Sequence, residues 1–156
     1  MAPGRSTHWK CPKCGDRFLA VNRRHSCGKF KLEPLLAVCD PGAAAAFRKL
    51  VSVLRENGPI RVIPKKSMII FQATRRFGAV TTGKARIRCS LMLPRLVPDP
   101  RFERIHTFGP GRHEHVFGLR TEADLDASVV EWIRDAYRLA SDARPDIPPA
   151  IARRYR

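Results

Sequence analysis

The sequence is short of acidic residues: 14 Asp and Glu stand against 30 Lys and Arg, a formal net charge of +16 at pH 7. This excess makes polyanions, nucleic acid first, the partner class to consider. A run of about 18 apolar residues is also lacking, which predicts no membrane span and no membrane partner. The N-terminus, MAPGRSTHWKCPKCG, lacks the apolar stretch of a secretory signal, so a cytoplasmic location is expected.

Cysteine is scarce and odd in number, with five residues in the chain, which together with a reducing compartment argues against disulfides. Four donors instead form a C-x2-C-x10-H-x-C arrangement. They are Cys11, Cys14, His25 and Cys27. A tight set of four such donors, with no vacant position, predicts one structural, tetrahedral zinc ion. The alternative is a free redox dithiol at the first two cysteines, and whether Cys39 or His8 assists the metal stays open.

Helix and strand patterns organise the rest of the chain. Asp40 is the predicted N-cap of a helix that ends near Asn57, and Thr121 with Asp124 predicts the start of a last helix. Between the helices, apolar runs and alternation predict about five strands, including a hairpin around Gly-Pro-Gly-Arg at 109–112. The sequence therefore predicts an α+β fold: an antiparallel sheet of about five strands flanked by two helices, plus a small N-terminal zinc-binding arm.

Three segments are expected along the chain: a basic zinc-binding arm at 1–31, an α+β domain at 32–143 and a flexible tail at 144–156. The arm has eight Lys and Arg but one Asp, whereas residues 121–143 have six carboxylates against two arginines. The last helix is therefore expected to face away from any polyanion.

Two basic groups are the predicted nucleic-acid contacts. Lys13, Arg23 and Arg24 lie in the arm. Lys84, Arg86 and Arg88 alternate with apolar residues, which places them on one face of a strand. The alternative for both groups is a set of charges that only solvate the surface.

A second constellation lies on the predicted hairpin. If residue 109 pairs with 112, His106 lies opposite His115, and two facing imidazoles could bind a metal or move a proton. The sequence has no P-loop, GxGxxG, GxSxG or HExxH motif, so no catalytic residue is assigned. A non-catalytic zinc protein that binds nucleic acid or another polyanion is favoured. The alternatives are a small-ligand domain or enzyme using the His106 and His115 cleft, and a protein-interaction adaptor with a purely structural zinc.

Several segments together resemble the bacterial family known as domain of unknown function 5655, in the variant with an N-terminal zinc-ribbon-like arm. They are WKCPKCGDRF, NRRHSCGKF, KKSMIIFQATRRFGAV, RIHTFGPGRHEHVFGL and LDASVVEWIRDAY, which span about residues 9–140. The resemblance implies that the four candidate ligands form the zinc arm and that His115 and the Phe71 to Phe77 region belong to the core. Gly118 departs from the family pattern, where a bulkier or basic residue is expected. No activity follows from the resemblance.

Overall fold

The computed structural model describes residues 9–18 and 20–142. The predicted flexible tail at 144–156 and His8 lie outside the described residues. In chain order the strands are β1 (Trp9–Lys10), β2 (Arg17–Phe18), β3 (Arg61–Pro64), β4 (Ile69–Gln72), β5 (Arg76–Thr82), β6 (Ile87–Leu93), β7 (Phe102–Gly109) and β8 (Arg112–Leu119). The helices are α1 (Leu32–Leu36), α2 (Pro41–Glu56) and α3 (Ala127–Ser141), with one 3₁₀ turn (Glu122–Asp124) before α3.

Six strands form the main sheet, in the order β3-β4-β5-β6-β8-β7, and every neighbouring pair is antiparallel. The prediction of about five strands is corrected because the segment after Gln72 folds back as β5. Its turn is closed by a hydrogen bond from Ala73 N to Arg75 O of 2.9 Å. Neither residue carries the Gly, Pro or Asn signal by which such turns are recognised in a sequence.

The chain does not continue as a simple meander after β6. Strand β8 lies between β6 and β7, so residues 94–101 cross the sheet to reach its edge; we call this segment the strap. Arg95 in the strap bonds Asp135 of α3 at 2.5 Å, and Arg101 places its guanidinium over the Trp132 ring at 4.7 Å. The strap therefore lies on the same side of the sheet as α3.

Local signals set both long helices. Helix α2 follows Asp40 as predicted, with proline at its first turn and eight buried residues along its apolar stripe. Helix α3 begins later than predicted. The capping box of Thr121 and Asp124 caps the 3₁₀ turn, and Asp126 caps α3 by accepting from Val129 N at 3.1 Å. The short helix α1 was not predicted.

Helices α2 and α3 pack on one face of the sheet, the inner face, and enclose one core. Its largest buried side chains include Phe47 of α2, Phe71 and Phe117 of the sheet and Ile133 of α3. The α+β class is thus confirmed. None of the helices in the described part of the chain has the length and apolar content that a bilayer crossing requires.

Candidate metal centre and basic arm

The structure brings the four predicted ligands together. Their donor atoms all lie within 4.8 Å of one another, in a group made of Cys11, Cys14, His25 and Cys27. The sulfurs of Cys11 and Cys27 are 3.7 Å apart, and Cys14 Sγ is 3.2 Å from His25 Nε2. Sulfurs bound at about 2.3 Å around a tetrahedral ion are separated by about 3.8 Å. The group could therefore hold one metal ion.

A tight turn between β1 and β2 presents the first two cysteines. Gly15 N donates to Cys11 O at 2.8 Å, and Cys11 N donates to Asp16 O at 2.7 Å. The turn needs a residue with positive φ, which Gly15 supplies at 76°. The backbone N–H of Cys14 points at the first sulfur and lowers the pKa of the Cys11 thiol to about 6. This stabilises the thiolate, the form that binds metals.

The histidine of this group is oriented by a nearby backbone carbonyl group. His25 Nδ1 donates to the carbonyl oxygen of Arg23 at 2.6 Å, which leaves the Nε2 lone pair facing the cysteines. The imidazole also packs against Phe18, with 4.5 Å between ring centroids, and against the edge of Trp9 at 6.2 Å. The arm therefore has a small aromatic cluster beside the ligand group.

The remaining described cysteines do not join this group. Cys39 is half-buried against the main core, and burial raises the pKa of its thiol. Cys89 is fully buried in β6, where burial raises its thiol pKa to about 12. Both are therefore poor metal ligands and poor nucleophiles.

A buried carboxylate attaches the arm to the sheet, and sequence reasoning missed it. Asp16 is 2% exposed and lies 2.9 Å from Arg61 Nη1 and 3.5 Å from Lys65 Nζ. Arg61 also donates to the carbonyl oxygens of Cys14 at 2.9 Å and Gly15 at 2.6 Å. The available signal was that Asp16 is the single acidic residue of the basic arm.

In the part of the chain that the structure describes, the other charged side chains of the arm have no such partner. The seven that the structure describes are Lys10, Lys13, Arg17, Arg23, Arg24, Lys29 and Lys31. Among the described residues, none of these seven forms a salt bridge with a carboxylate. Arg23 and Arg24 are exposed, and Lys10 pairs in register with Arg17 across the β1–β2 ladder. Two cations facing each other in this way concentrate positive charge.

The basic residues predicted on β6 have a different environment. Lys84 is exposed, whereas Arg86 and Arg88 both form salt bridges with Glu103 of β7, the Arg88 pair at 3.1 Å. The path of Arg86 crosses β8 at Gly118, where an added Cβ would meet its guanidinium at 2.8 Å. The departure of Gly118 from the expected bulkier residue thus has a structural reason.

A family model described as a domain of unknown function, DUF5655, matches residues 40–140. The chain belongs to this family. The match covers the sheet and both long helices but not the arm, whose ligand group lies before it. No curated protein and no solved structure matches the chain.

Within the DUF5655 domain the predicted histidine pair is wrong. His106 pairs with Glu114 and is exposed, whereas His115 pairs with Ile105 and is fully buried. The physical reason is an irregularity between Thr107 and Gly109 that shifts the register by one residue and reverses the faces. The structure therefore does not form the cleft that was to lie between these histidines.

His115 has a structural place instead. Its Nε2 accepts from Val97 N of the strap at 3.1 Å, and its Nδ1 donates to His113 O at 2.9 Å. The ring also meets the edge of Phe102 at a centroid distance of 4.6 Å. Burial lowers the pKa of His115 below its usual value, so the neutral ring is favoured. Its place in the core agrees with what the resemblance implied, as does the burial of Phe71 and Phe77.

Proposed function

We propose that this protein binds nucleic acid through its basic arm, which one structural zinc ion holds in shape. Three thiolates and one imidazole are donors that suit zinc. Four protein ligands fill a tetrahedral coordination sphere, so no coordination position is left for a substrate. The arm's two strands have two residues each, too few to build a core of their own. Metal binding therefore supplies much of the free energy that folds the arm. A reducing cytoplasm would keep the three cysteines available to the metal.

The observation that carries the proposal is the burial of Asp16 in salt bridges. The arm's single carboxylate is buried between Arg61 and Lys65, so it cannot neutralise the arm's surface. The exposed cations that the structure describes in the arm, among them Arg23 and Arg24, face solvent and form no salt bridge with a described carboxylate. An uncompensated cluster of this kind is an electrostatic footprint for a phosphate backbone.

The charge of the remaining chain is consistent with this placement. Residues 60–120, which form the main sheet and its loops, contain thirteen Lys and Arg against three acidic residues. Residues 121–142, which include α3, contain six acidic residues and two arginines. A polyanion is therefore attracted to the arm and the sheet and repelled from the α3 side.

The test is a fluorescence-anisotropy titration with labelled DNA and RNA at two salt concentrations. Replacing Arg23 and Arg24 together with Ala should weaken binding and flatten the slope of log K against log salt by roughly one to two units. Arg134 and Arg138, both exposed on α3, provide a control pair with the same change in charge.

Three outcomes are decisive. Weaker binding by the Arg23 and Arg24 variant, with unchanged binding by the Arg134 and Arg138 variant, supports the proposal. Equal losses from both pairs would mean that net charge alone governs binding. No binding even at ~50 mM salt, where phosphate contacts are strong, would overturn the proposal and favour the adaptor function.

A further inference from the structure

We propose that the nucleic acid is single-stranded and runs across the outer face of the sheet, from the arm to the exposed rings of His106 and Phe108 on β7. The inference rests on the proposed function, because the arm supplies one end of the path. It adds a second contact site at the far edge of the sheet.

The arm and the outer face are on the same side of the molecule. Val62 of β3 packs against the core, so its neighbours Arg61 and Ile63 point to the opposite, outer face. Arg61 is the residue that holds the arm. Arg76 of β5 also lies over the Phe18 ring of the arm, 5.5 Å from its centroid. The arm therefore lies on the outer face, beside β3 and β5.

A continuous row of side chains leads away from the arm. Strand register aligns, from β4 to β7, the residues Ile70, Ala79, Ser90, Val116 and Arg104. Ala79 and Ser90, in the middle of the row, are small, and both long helices pack on the inner face instead. Five strand spacings of about 4.8 Å separate β3 from β7, so the path is about 24 Å long. That length suits a segment of several nucleotides.

The row ends at Arg104, and two exposed rings lie beyond it on the same strand, β7. The centroids of His106 and Phe108 are 4.4 Å apart, and Phe108 is 41% exposed. The register places His106 on the outer face, in line with Met92 and Glu114, and exposed Arg104 lies on the same strand. Exposed rings beside a cation form a platform on which unpaired bases stack. The faces of bases inside a duplex are already stacked, so this site selects single strands.

The experiment compares single-stranded and duplex oligonucleotides of about 15 nucleotides, a length that can span such a surface. Labelled oligo-dT, oligo-U and a mixed-sequence DNA duplex are titrated with the full chain. The two single strands distinguish DNA from RNA. The variant His106→Ala with Phe108→Ala changes only exposed side chains, and a circular-dichroism melt verifies that it folds. Leu96→Ala, an exposed apolar residue of the strap on the helix side, is the control.

We expect the wild type to bind a single strand more tightly than the duplex. The double variant should bind single strands about fivefold more weakly or worse, since alanine removes base stacking, and should bind the duplex as the wild type does. The control Leu96→Ala should bind both forms with wild-type affinity. Wild-type affinity of the double variant for single strands would overturn the inference while the arm proposal stands. Equal wild-type binding of both forms would overturn it too. An absence of all binding would overturn both proposals.

Discussion

Two glycines of the sheet allow a direct test of the packing, because each is close to a neighbour of a different kind. An added Cβ at Gly78 would lie 2.8 Å from the backbone oxygen of Ser90 and 3.1 Å from Leu91 Cδ2. An added Cβ at Gly118 would lie at the same 2.8 Å, but from the mobile end of Arg86. Backbone in the middle of a sheet cannot move aside, whereas a half-exposed guanidinium can.

The expected free energies follow from these contacts. Replacing Gly with Ala at an unstrained position stabilises a protein by about 0.4–1 kcal/mol through the unfolded chain. Overpacking at Gly78 works against that gain by about 1–3 kcal/mol. Displacing Arg86 from Glu103 loses an exposed salt bridge worth about 0–1 kcal/mol. We therefore expect Gly78→Ala to destabilise the protein by about 1–2 kcal/mol and Gly118→Ala to be nearly neutral.

Urea unfolding at constant m-value measures both changes. In an Arg86→Ala background the obstacle at Gly118 is gone, so Gly118→Ala should then raise the free energy of unfolding by about 0.4–1 kcal/mol. Equal destabilisation by the two single glycine variants would refute the reasoning. A neutral Gly78→Ala would show that β5 and β6 are not paired as described.

Other parts of the structure yield further predictions. Elemental analysis should find one equivalent of zinc. The double variant Cys11→Ser with Cys14→Ser should lose the zinc, and its arm should unfold while the main sheet stays folded. Full zinc content in the double variant would contradict the site. Phe47→Ala or Trp132→Ala should reduce the free energy of unfolding by about 3–5 kcal/mol in denaturant melts, and wild-type stability would mean an undocked helix. The pKa of His115 is lowered in the folded protein, so the folded state favours the neutral ring. This stabilising contribution is fully present above pH 6.5, the ordinary pKa of histidine, and is lost as the pH falls below that value. Thermal melts at several pH values should show this loss of stability in the wild type, and the loss should be smaller in His115→Gln. The same pH dependence in both proteins would contradict the assignment to His115.

Local features of this protein could be predicted from its sequence. The candidate ligands Cys11 and Cys14 lie on one tight turn, and the spacing of His25 and Cys27 completes a set of four donors that is recognisable from the sequence alone. Helix α2 has its N-cap and its apolar stripe within a single segment. In each case the deciding interactions join residues close in sequence, so composition and spacing contain the required information.

The unrecognised features depend on pairs of residues distant in sequence. A one-residue irregularity near Phe108 reverses the faces of the hairpin, and no spacing rule specifies where such an irregularity occurs. The position of β8 between β6 and β7 sets Arg86 and Glu103 within reach of each other. In the sequence Asp16 looks like an ordinary surface charge, because its partner Arg61 lies 45 positions further along the chain and contacts it only in the folded protein. The sequence by itself determined the candidate metal-binding group, the two long helices and most strands, because short-range interactions specify them. Only the tertiary structure decided which cations are neutralised and which remain free, because that depends on which distant side chains packing brings together.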